Sequence, residues 1–299
     1  MNPNPVPPFP ERIRLVAVDL DGTLLDSRYR VSPANRAAVR DLLDDGIHVV
    51  PVTGRRFSMG VPYAEQLGLD GLMVFQNGAV IKELGGRHLV WHQALPFRLA
   101  REVVRLGRAS GFSPILFCEP DGGGTVLIED GIAQHCRLDR YLTEGWNDVR
   151  LLSRFEGLRR DDILQVLFTG GVGEIRRLEG AVARRFGDDV KLLVTEYAQR
   201  DLSLLDVMSP GVSKGDALER VGRMLGVGPP ETAAFGDNFN DVDMLDHAAL
   251  PLLMANAPAE LRERYRRHLP SCDRSGVAWG IWRHVLRRPD RLREWFPPA

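Results

Sequence analysis

The apolar run Leu15–Val18 leads directly into Asp19-Leu20-Asp21-Gly22-Thr23, and no other segment constrains the possible fold of this chain as strongly. An apolar run of this kind predicts a buried strand. Asp19 and Asp21 are two residues apart, so at the end of a strand their side chains project to the same side. The Gly and Thr that follow predict that the backbone turns out of the sheet. Paired carboxylates at a strand end are typical of a metal-assisted site for an anion.

Strands and helices alternate in the N-terminal part of the sequence. Ser32-Pro33 predicts the start of a helix, because serine caps helix N-termini and proline suits the first turn. Further buried strands are expected at 47–52 and 72–75, directly before Thr53 and near Asn77. Such alternation predicts right-handed crossovers and a doubly wound, parallel, Rossmann-like sheet of the α/β class. Ligands of these sheets bind beyond the carboxyl ends of the strands, where these polar residues are expected.

The alternation is interrupted between residues 83 and 209, where a helix-strand-strand pattern occurs twice. We expect this stretch to form a separate inserted α+β lobe. Residues 13–82 and 210–299 then form one discontinuous domain. Residues 1–12 contain five prolines and no apolar segment, which predicts a disordered arm and not a signal peptide.

The composition excludes several classes of protein. The formal net charge is −1, so no overall field favours nucleic acid or an anionic membrane as a partner. The three cysteines, Cys118, Cys136 and Cys272, form no C-x-x-C pair, which argues against a disulfide framework and a zinc site. No apolar run approaches the ~18 residues that span a bilayer. A cytoplasmic protein with a small-molecule ligand is therefore expected.

Four short segments follow one another at expected strand or helix ends: Asp19-x-Asp21-Gly22-Thr23, Thr53-Gly54-Arg55, Ser213-Lys214-Gly215 and Gly236-Asp237-Asn238-Phe239-Asn240-Asp241. Together they resemble the haloacid dehalogenase superfamily of phosphohydrolases, and within it the Cof-like branch with a type IIB α/β cap. Met254-Ala255-Asn256-Ala257 and Ser275-Gly276-Val277-Ala278 favour that branch, although Ala255 stands where the family usually has glycine. The resemblance implies that residues 83–209 are the cap, which determines substrate specificity, and that residues 13–82 and 210–299 are the catalytic core. The cap resembles the family only in the order of its elements.

The resemblance and the chemistry of phosphoryl transfer assign the same role to Asp19. Its carboxylate is expected to attack phosphorus and to form an aspartyl-phosphate. An anion that approaches another anion needs cations nearby, and Mg²⁺ prefers the oxygen ligands available here. We expect the Asp19 carboxylate, the Asp21 main-chain carbonyl and the Asp237 carboxylate to bind Mg²⁺. The Asp21 side chain then stays free to act as general acid and base.

The remaining motif residues are expected to bind and polarise the phosphoryl group. Lys214 adds a fixed positive charge at the start of a helix, where backbone N–H groups also favour phosphate. Thr53 offers its hydroxyl group and Gly54 its backbone amide. Asn240 resembles a family position that contacts phosphate. Asp241 is expected to orient Lys214 or a metal-bound water without touching the substrate.

Each of these segments also has a purely structural interpretation. A D-x-D can form a turn, Thr53-Gly54 can end a strand, and Lys214 can be a solvated helix residue. The four segments together favour catalysis. Asn77, which precedes a glycine, is interpreted as a turn residue. The basic stretches 262–267 and 283–293 are interpreted as solvated helix faces, because acidic residues interrupt them.

The sequence thus predicts a Mg²⁺-dependent phosphatase that hydrolyses a small phosphorylated metabolite, such as a sugar phosphate or a similar phosphomonoester. Two alternatives stay open. A phosphomutase would use the same core and retain the phosphoryl group. A non-enzymatic phospho-acceptor resembling a signalling receiver would also combine an acceptor aspartate, acidic residues, a threonine and a lysine. Neither nucleic acid nor a membrane is expected as a partner.

Overall fold

The structure of the chain is a computed structural model that describes residues 10, 12–119, 124–129, 149–155, 158–197 and 201–297. The arm predicted at residues 1–12 therefore lies outside the described residues, except for Pro10 and Arg12. The described residues form two compact units. The first unit combines Met1–Val90 with Ser213–Ala299, and the second unit is Trp91–Val212.

The elements are numbered in chain order. The strands are β1 Leu15–Val18, β2 His48–Pro51, β3 Leu72–Phe75, β4 Val80–Glu83, β5 His88–His92, β6 Ile115–Cys118, β7 Thr125–Glu129, β8 Val149–Leu152, β9 Ile163–Gly170, β10 Lys191–Tyr197, β11 Leu202–Met208, β12 Thr232–Gly236, β13 Leu250–Met254 and β14 His268–Leu269. The α-helices are α1 Pro33–Asp44, α2 Phe57–Gln66, α3 Phe97–Ala109, α4 Val172–Phe186, α5 Lys214–Leu225, α6 Val242–His247, α7 Ala259–Arg264, α8 Gly276–Gly280 and α9 Pro289–Trp295.

The first unit contains a parallel sheet with the strand order β14-β13-β12-β1-β2. Strand β1 pairs with β12 on one side and with β2 on the other, so that Val18 lies opposite both Phe235 and Pro51. The carboxyl ends of these three strands therefore lie side by side. This sheet, connected by helices, confirms the predicted α/β class with a Rossmann-like core.

Strand β3 differs from the expectation that it would continue the parallel sheet. It pairs antiparallel with β4, and it meets the chain after β2 in a parallel orientation only at the isolated bridge between Val52 and Val74, beside which the Thr53 N–H donates to the Val74 carbonyl (3.0 Å). The 3₁₀ turn Gln76–Gly78 reverses the chain between β3 and β4, and Asn77 has the left-handed φ of 53° that such a turn uses. Gly78 has a φ of 105°, and a Cβ there would lie 2.1 Å from the Ser213 carbonyl oxygen. Only glycine lets this turn approach the start of α5 so closely.

The second unit is an α+β structure inserted between the two halves of the first. Its sheet has the order β10-β11-β9-β6-β7-β8, with β7 and β8 parallel and the other pairs antiparallel. Apolar residues of α3 and α4, such as Val103 and Leu178, pack with Val166 and Val207 of the sheet. Residues that alternate with these along the strands, such as Leu167 and Leu204, form a separate apolar cluster. No helix in the described part of the chain has the length and apolar character that crossing a bilayer requires.

Asp206 on β11 is a buried carboxylate in this second unit. Burial raises the pKa of Asp206 to about 7, although a hydrogen bond from Gln165 Nε2 favours the charged form. The folded state therefore holds a proton that the unfolded state, with a pKa near the ordinary 3.8, releases. The free energy of unfolding therefore falls as the pH rises from about 4 towards 7, because the folded state must give up this proton.

We therefore expect Asp206→Asn, which keeps the shape and the acceptor oxygen, to stabilise the protein in a pH-dependent way. The gain in free energy of unfolding should be small near about pH 4 and reach about 3 kcal/mol above pH 7. Urea unfolding followed by circular dichroism measures it, with Asp188→Asn on the surface of the same unit as control. A gain that does not change with pH would contradict the burial of an ionisable Asp206.

Candidate active site

Asp19 and Lys214 meet in the interior of the first unit. Asp19 follows β1, and its backbone N–H donates to the Phe235 carbonyl on β12 (3.0 Å). Lys214 is the first residue of α5, which Ser213 caps by accepting a hydrogen bond from the Asp216 N–H. The Lys214 Nζ lies 2.6 Å from Asp19 Oδ1, and the side chains are 1% and 6% exposed. The structure thus brings together two groups that are 195 residues apart in the chain.

Asp241 binds the same lysine from a second direction. Its Oδ1 lies 2.6 Å from Lys214 Nζ, and its Oδ2 accepts hydrogen bonds from the backbone N–H groups of Asp237 and Asn238 (both 2.9 Å). Both oxygens of this fully buried carboxylate are therefore engaged. Asp241 thus contacts both Lys214 and the loop after β12.

Asp19, Asp237 and Asp241 form a cluster in which one carboxylate oxygen of each lies within 4.8 Å of the others. Burial, together with the neighbouring carboxylates, raises the pKa of Asp19 well above its usual range, against the opposing effect of Lys214. Burial likewise raises the pKa of Asp237 to about 7. Burial alone would lower the pKa of Lys214, but the charges of Asp19 and Asp241 outweigh it and raise that pKa. Three carboxylates and one ammonium group leave net negative charge, and this all-oxygen donor set fits a hard divalent cation.

Thr23 and Asn256 hold the Asp237 carboxylate in place. The Thr23 hydroxyl donates to Asp237 Oδ1 (3.0 Å), and Asn256 Nδ2 donates to the Gly22 carbonyl (2.8 Å) and to Asp237 Oδ2 (3.2 Å). A Cβ on Gly22 would lie 2.3 Å from Asp237 Oδ2, so glycine is needed for this approach. The sequence predicts no contact with Asp237 for Thr23 or Asn256, although both lie in segments that carry the family resemblance.

Asp21 forms a bidentate ion pair with Arg55. Arg55 Nε lies 2.7 Å from Asp21 Oδ2, and Arg55 Nη2 lies 2.5 Å from Asp21 Oδ1. The guanidinium group also stacks over the rings of Tyr29 and Tyr63, 5.4 and 4.9 Å from their centroids. Burial disfavours the charge of Arg55, but the Asp21 carboxylate outweighs this effect and raises the pKa of Arg55. Arg55 belongs to the motif segment Thr53-Gly54-Arg55, but the sequence does not predict this pair.

Thr53, Gly54 and Asn240 lie around Asn77. Thr53 is fully buried, and its hydroxyl oxygen accepts a hydrogen bond from the Arg55 N–H (3.1 Å). Gly54 packs so closely against Asn77 that a Cβ would lie 2.9 Å from the Asn77 side-chain oxygen. That oxygen accepts a hydrogen bond from Asn240 Nδ2 (3.1 Å). Asn77 therefore forms the expected turn and also connects the loop after β2 with the loop after β12.

The sequence of this chain matches a known protein family. The family model of haloacid dehalogenase-like hydrolases matches residues 16–281. An HMP-PP phosphatase of Serratia proteamaculans (strain 568) is 30% identical over 283 residues, which cover 92% of this chain and 96% of the relative. Phosphatase YwpJ of Bacillus subtilis (strain 168) is 27% identical over 293 residues, which cover 92% of this chain and all (100%) of that protein.

Solved structures agree with the sequence comparisons. A haloacid dehalogenase-like hydrolase from B. subtilis superposes with a TM-score of 0.73 at 27% identity, covering 90% of this chain and 99% of that one. A second haloacid dehalogenase-like hydrolase, from Bacteroides thetaiotaomicron, has a TM-score of 0.77 at 22% identity, covering 91% of this chain and 99% of that one. At this identity the likeness supports the fold alone. These findings confirm the family resemblance that the four motif segments indicate.

The contacts of Asp237 generate a prediction about cation binding. Thr23→Val keeps the side-chain shape and removes the hydroxyl group that orients Asp237. We expect Mg²⁺ affinity, measured by isothermal titration calorimetry, to fall about tenfold. Thr232→Val is the matched control, because its hydroxyl group donates to the Gly228 carbonyl instead. Equal Mg²⁺ affinity in the two variants would argue against Asp237 as a ligand.

Proposed function

Because this chain belongs to the haloacid dehalogenase-like hydrolase family and is a phosphatase, we propose that it hydrolyses a small phosphomonoester with Mg²⁺ through an aspartyl-phosphate. The observation that carries the proposal is the buried contact of 2.6 Å between Asp19 and Lys214. A carboxylate beside a fixed ammonium group and an acidic cation site has the charges that phosphoryl transfer needs.

Asp19 is the proposed nucleophile. A carboxylate oxygen of Asp19 forms a bond to phosphorus while the bond from phosphorus to the leaving alcohol oxygen breaks. In the second step, the oxygen of a water molecule attacks phosphorus and the bond to Asp19 breaks, which returns the free carboxylate and inorganic phosphate. The Asp19 and Asp237 carboxylates and the Asp21 main-chain carbonyl would hold Mg²⁺, which neutralises the phosphoryl oxygens when bound.

Asp21 is the proposed general acid and base. Its side chain gives a proton to the departing alcohol oxygen in the first step and takes one from water in the second. The bidentate pair with Arg55 fixes the orientation of the Asp21 carboxylate. Arg55 is thus a positioning residue, and Tyr63 and Tyr29 orient its guanidinium group in turn.

Lys214, Thr53, Gly54 and Asn240 are proposed to bind the phosphoryl group. Lys214 supplies positive charge to it, and the contact with Asp241 keeps the ammonium group in place. Thr53 and Gly54 would contribute a hydroxyl group and a backbone amide. The hydrogen bond from Asn240 to Asn77 ties its side chain to the turn after β3.

The substrate is proposed to be a small phosphorylated metabolite. One relative is named HMP-PP phosphatase, and another, from Methanoculleus marisnigri, is named phosphoglycolate phosphatase. Both names refer to small phosphorylated compounds. We also propose that residues 13–82 and 210–299 act as the catalytic core and that 83–209 act as the cap that selects the substrate.

A screen of phosphorylated metabolites with Mg²⁺, with released phosphate as readout, tests the proposed function. Turnover of a small phosphomonoester supports it. A phosphomutase would instead isomerise a sugar phosphate when a bisphosphorylated sugar is added, without release of phosphate. A long-lived phosphoprotein after incubation with acetyl phosphate would indicate a receiver-like acceptor.

The role of Asp19 predicts that Asp19→Asn abolishes turnover and leaves the fold intact, because it removes the nucleophile and a negative ligand. We expect kcat to fall at least about 10³-fold, or ~4 kcal/mol in activation free energy. Asp44→Asn, on the exposed face of α1, controls for a general effect of a lost charge. Activity within about tenfold of the unsubstituted protein would refute the assignment.

The role of Arg55 predicts a defect in proton transfer and not in cation binding. In Arg55→Met, kcat should fall about 10²-fold, while Mg²⁺ affinity stays within about threefold. Arg55→Lys should recover only part of the lost kcat. A lysine keeps the positive charge, but it cannot form both hydrogen bonds of the pair. Arg30→Met is the control, since Arg30 is exposed and pairs with Asp26. An unchanged kcat in Arg55→Met would contradict the positioning role.

A further inference from the structure

The 3₁₀ turn between β3 and β4 contacts two segments of the candidate active site. The Gln76 N–H donates to the Arg55 carbonyl, and the Asn77 N–H donates to the Thr53 carbonyl (both 3.0 Å). The Asn77 side chain accepts a hydrogen bond from Asn240. The turn is therefore fixed between the loop after β2 and the loop after β12, both of which carry groups proposed to bind the phosphoryl group.

The backbone of this turn is strained. Gln76 and Asn77 have φ angles of 49° and 53°, and Gly78 has a φ of 105°. Glycine adopts such angles freely and asparagine tolerates the left-handed region, whereas glutamine seldom occurs there. Strained residues persist only where the surrounding structure holds them, and they cluster at functional sites. Gln76 is therefore held beside the Arg55 backbone at a conformational cost.

The Gln76 side chain carries a polar atom without a partner. Gln76 is 6% exposed, and its Oε1 is buried and accepts no hydrogen bond from the residues that the structure describes. The neighbouring Asn77 differs, because its side-chain oxygen accepts a hydrogen bond from Asn240. A buried oxygen without a donor costs free energy that a methionine at this position would avoid. Such an atom requires a donor from outside the chain.

The chemistry of the amide group restricts what this donor can be. Gln76 Oε1 accepts hydrogen bonds and cannot donate one. The ionised oxygens of a phosphoryl group are acceptors as well, so they cannot satisfy it. A hydroxyl group can, because it has an O–H donor. In a phosphomonoester, such a hydroxyl group belongs to the leaving alcohol.

We propose that Gln76 is a specificity-determining residue, which accepts a hydrogen bond from a hydroxyl group on the leaving alcohol of the substrate. This inference rests on the proposed phosphatase function and narrows its substrate class to phosphomonoesters of polyols and sugars. The Gln76 N–H binds the backbone of Arg55, and the side chain of Arg55 pairs with Asp21, the proposed proton donor to the same alcohol. Gln76 thus lies on the segment that holds the groups proposed to act on the leaving alcohol.

Matched pairs of phosphomonoesters test the proposal with the full chain and Mg²⁺. Each pair has a similar carbon skeleton with and without hydroxyl groups: glycerol 3-phosphate with propyl phosphate, and glucose 6-phosphate with cyclohexylmethyl phosphate. For the unsubstituted protein, kcat/KM should be at least about tenfold higher for the hydroxylated member of at least one pair. Equal kcat/KM for both members of every pair would overturn the proposal.

Variants assign this preference to Gln76. Gln76→Met keeps the length of the side chain and removes its polar atoms. The ratio of kcat/KM within the preferred pair should fall at least about fivefold, because only the hydroxylated member loses a hydrogen bond. Gln76→Asn shortens the reach of the amide, suits a left-handed φ, and should also lower the ratio, so it tests the proposal if Gln76→Met does not fold. Gln66→Met is the matched control, because Gln66 is exposed on α2.

The ratio within a pair separates substrate binding from a structural role. A distorted site would lower kcat/KM for both members of a pair alike, and an unchanged ratio in Gln76→Met and Gln76→Asn would overturn the proposal. A water molecule that satisfies Gln76 Oε1 would give the same unchanged ratio. If phosphate is released and only the ratio fails to change, the proposed function stands and the role of Gln76 is refuted. No release of phosphate from any of the esters would overturn both.

Discussion

The Lys214 ammonium group between the Asp19 and Asp241 carboxylates is the interaction on which the rest of the site depends. All three side chains are almost completely buried. Burial of a single uncompensated charge costs several kcal/mol, so each of these groups can be buried only because the others are. The contact also connects strand β1 with helix α5 across 195 residues of sequence. It therefore joins the two halves of the first unit at the place where chemistry is proposed to occur.

The parallel sheet explains why these groups meet. Strand β1 lies between β12 and β2, so the segments after all three strands emerge at the same edge. Close backbone approaches then complete the site, at Gly22 beside Asp237 and at Gly78 beside Ser213. Asp241 contributes twice, since it binds the lysine and also two backbone N–H groups of its own loop. Rigid strand ends thus hold the reactive groups.

The charge balance around Asp19 favours a cation. Carboxylates outnumber the ammonium group there, and burial raises the pKa of Asp19 and of Asp237. A hard divalent cation fits this all-oxygen set of side chains.

The sequence by itself determined the α/β class, the strand that carries Asp19, and the helix that begins at Lys214. Local signals suffice for these features: an apolar run before Asp19 and motif segments in a recognisable order. It also singled out Asp237 and Asp241, since their spacing belongs to one of those segments.

Only the tertiary structure decided which side chains pair. It brought Arg55 to Asp21, Thr23 and Asn256 to Asp237, and Asn240 to Asn77. It also directed β3 into an antiparallel pair with β4. Periodicity and capping signals reflect the conformational preferences of residues that are neighbours in the sequence. The contacts named above instead join residues that are distant in the sequence. Their geometry depends on packing of the whole unit, which no local pattern encodes.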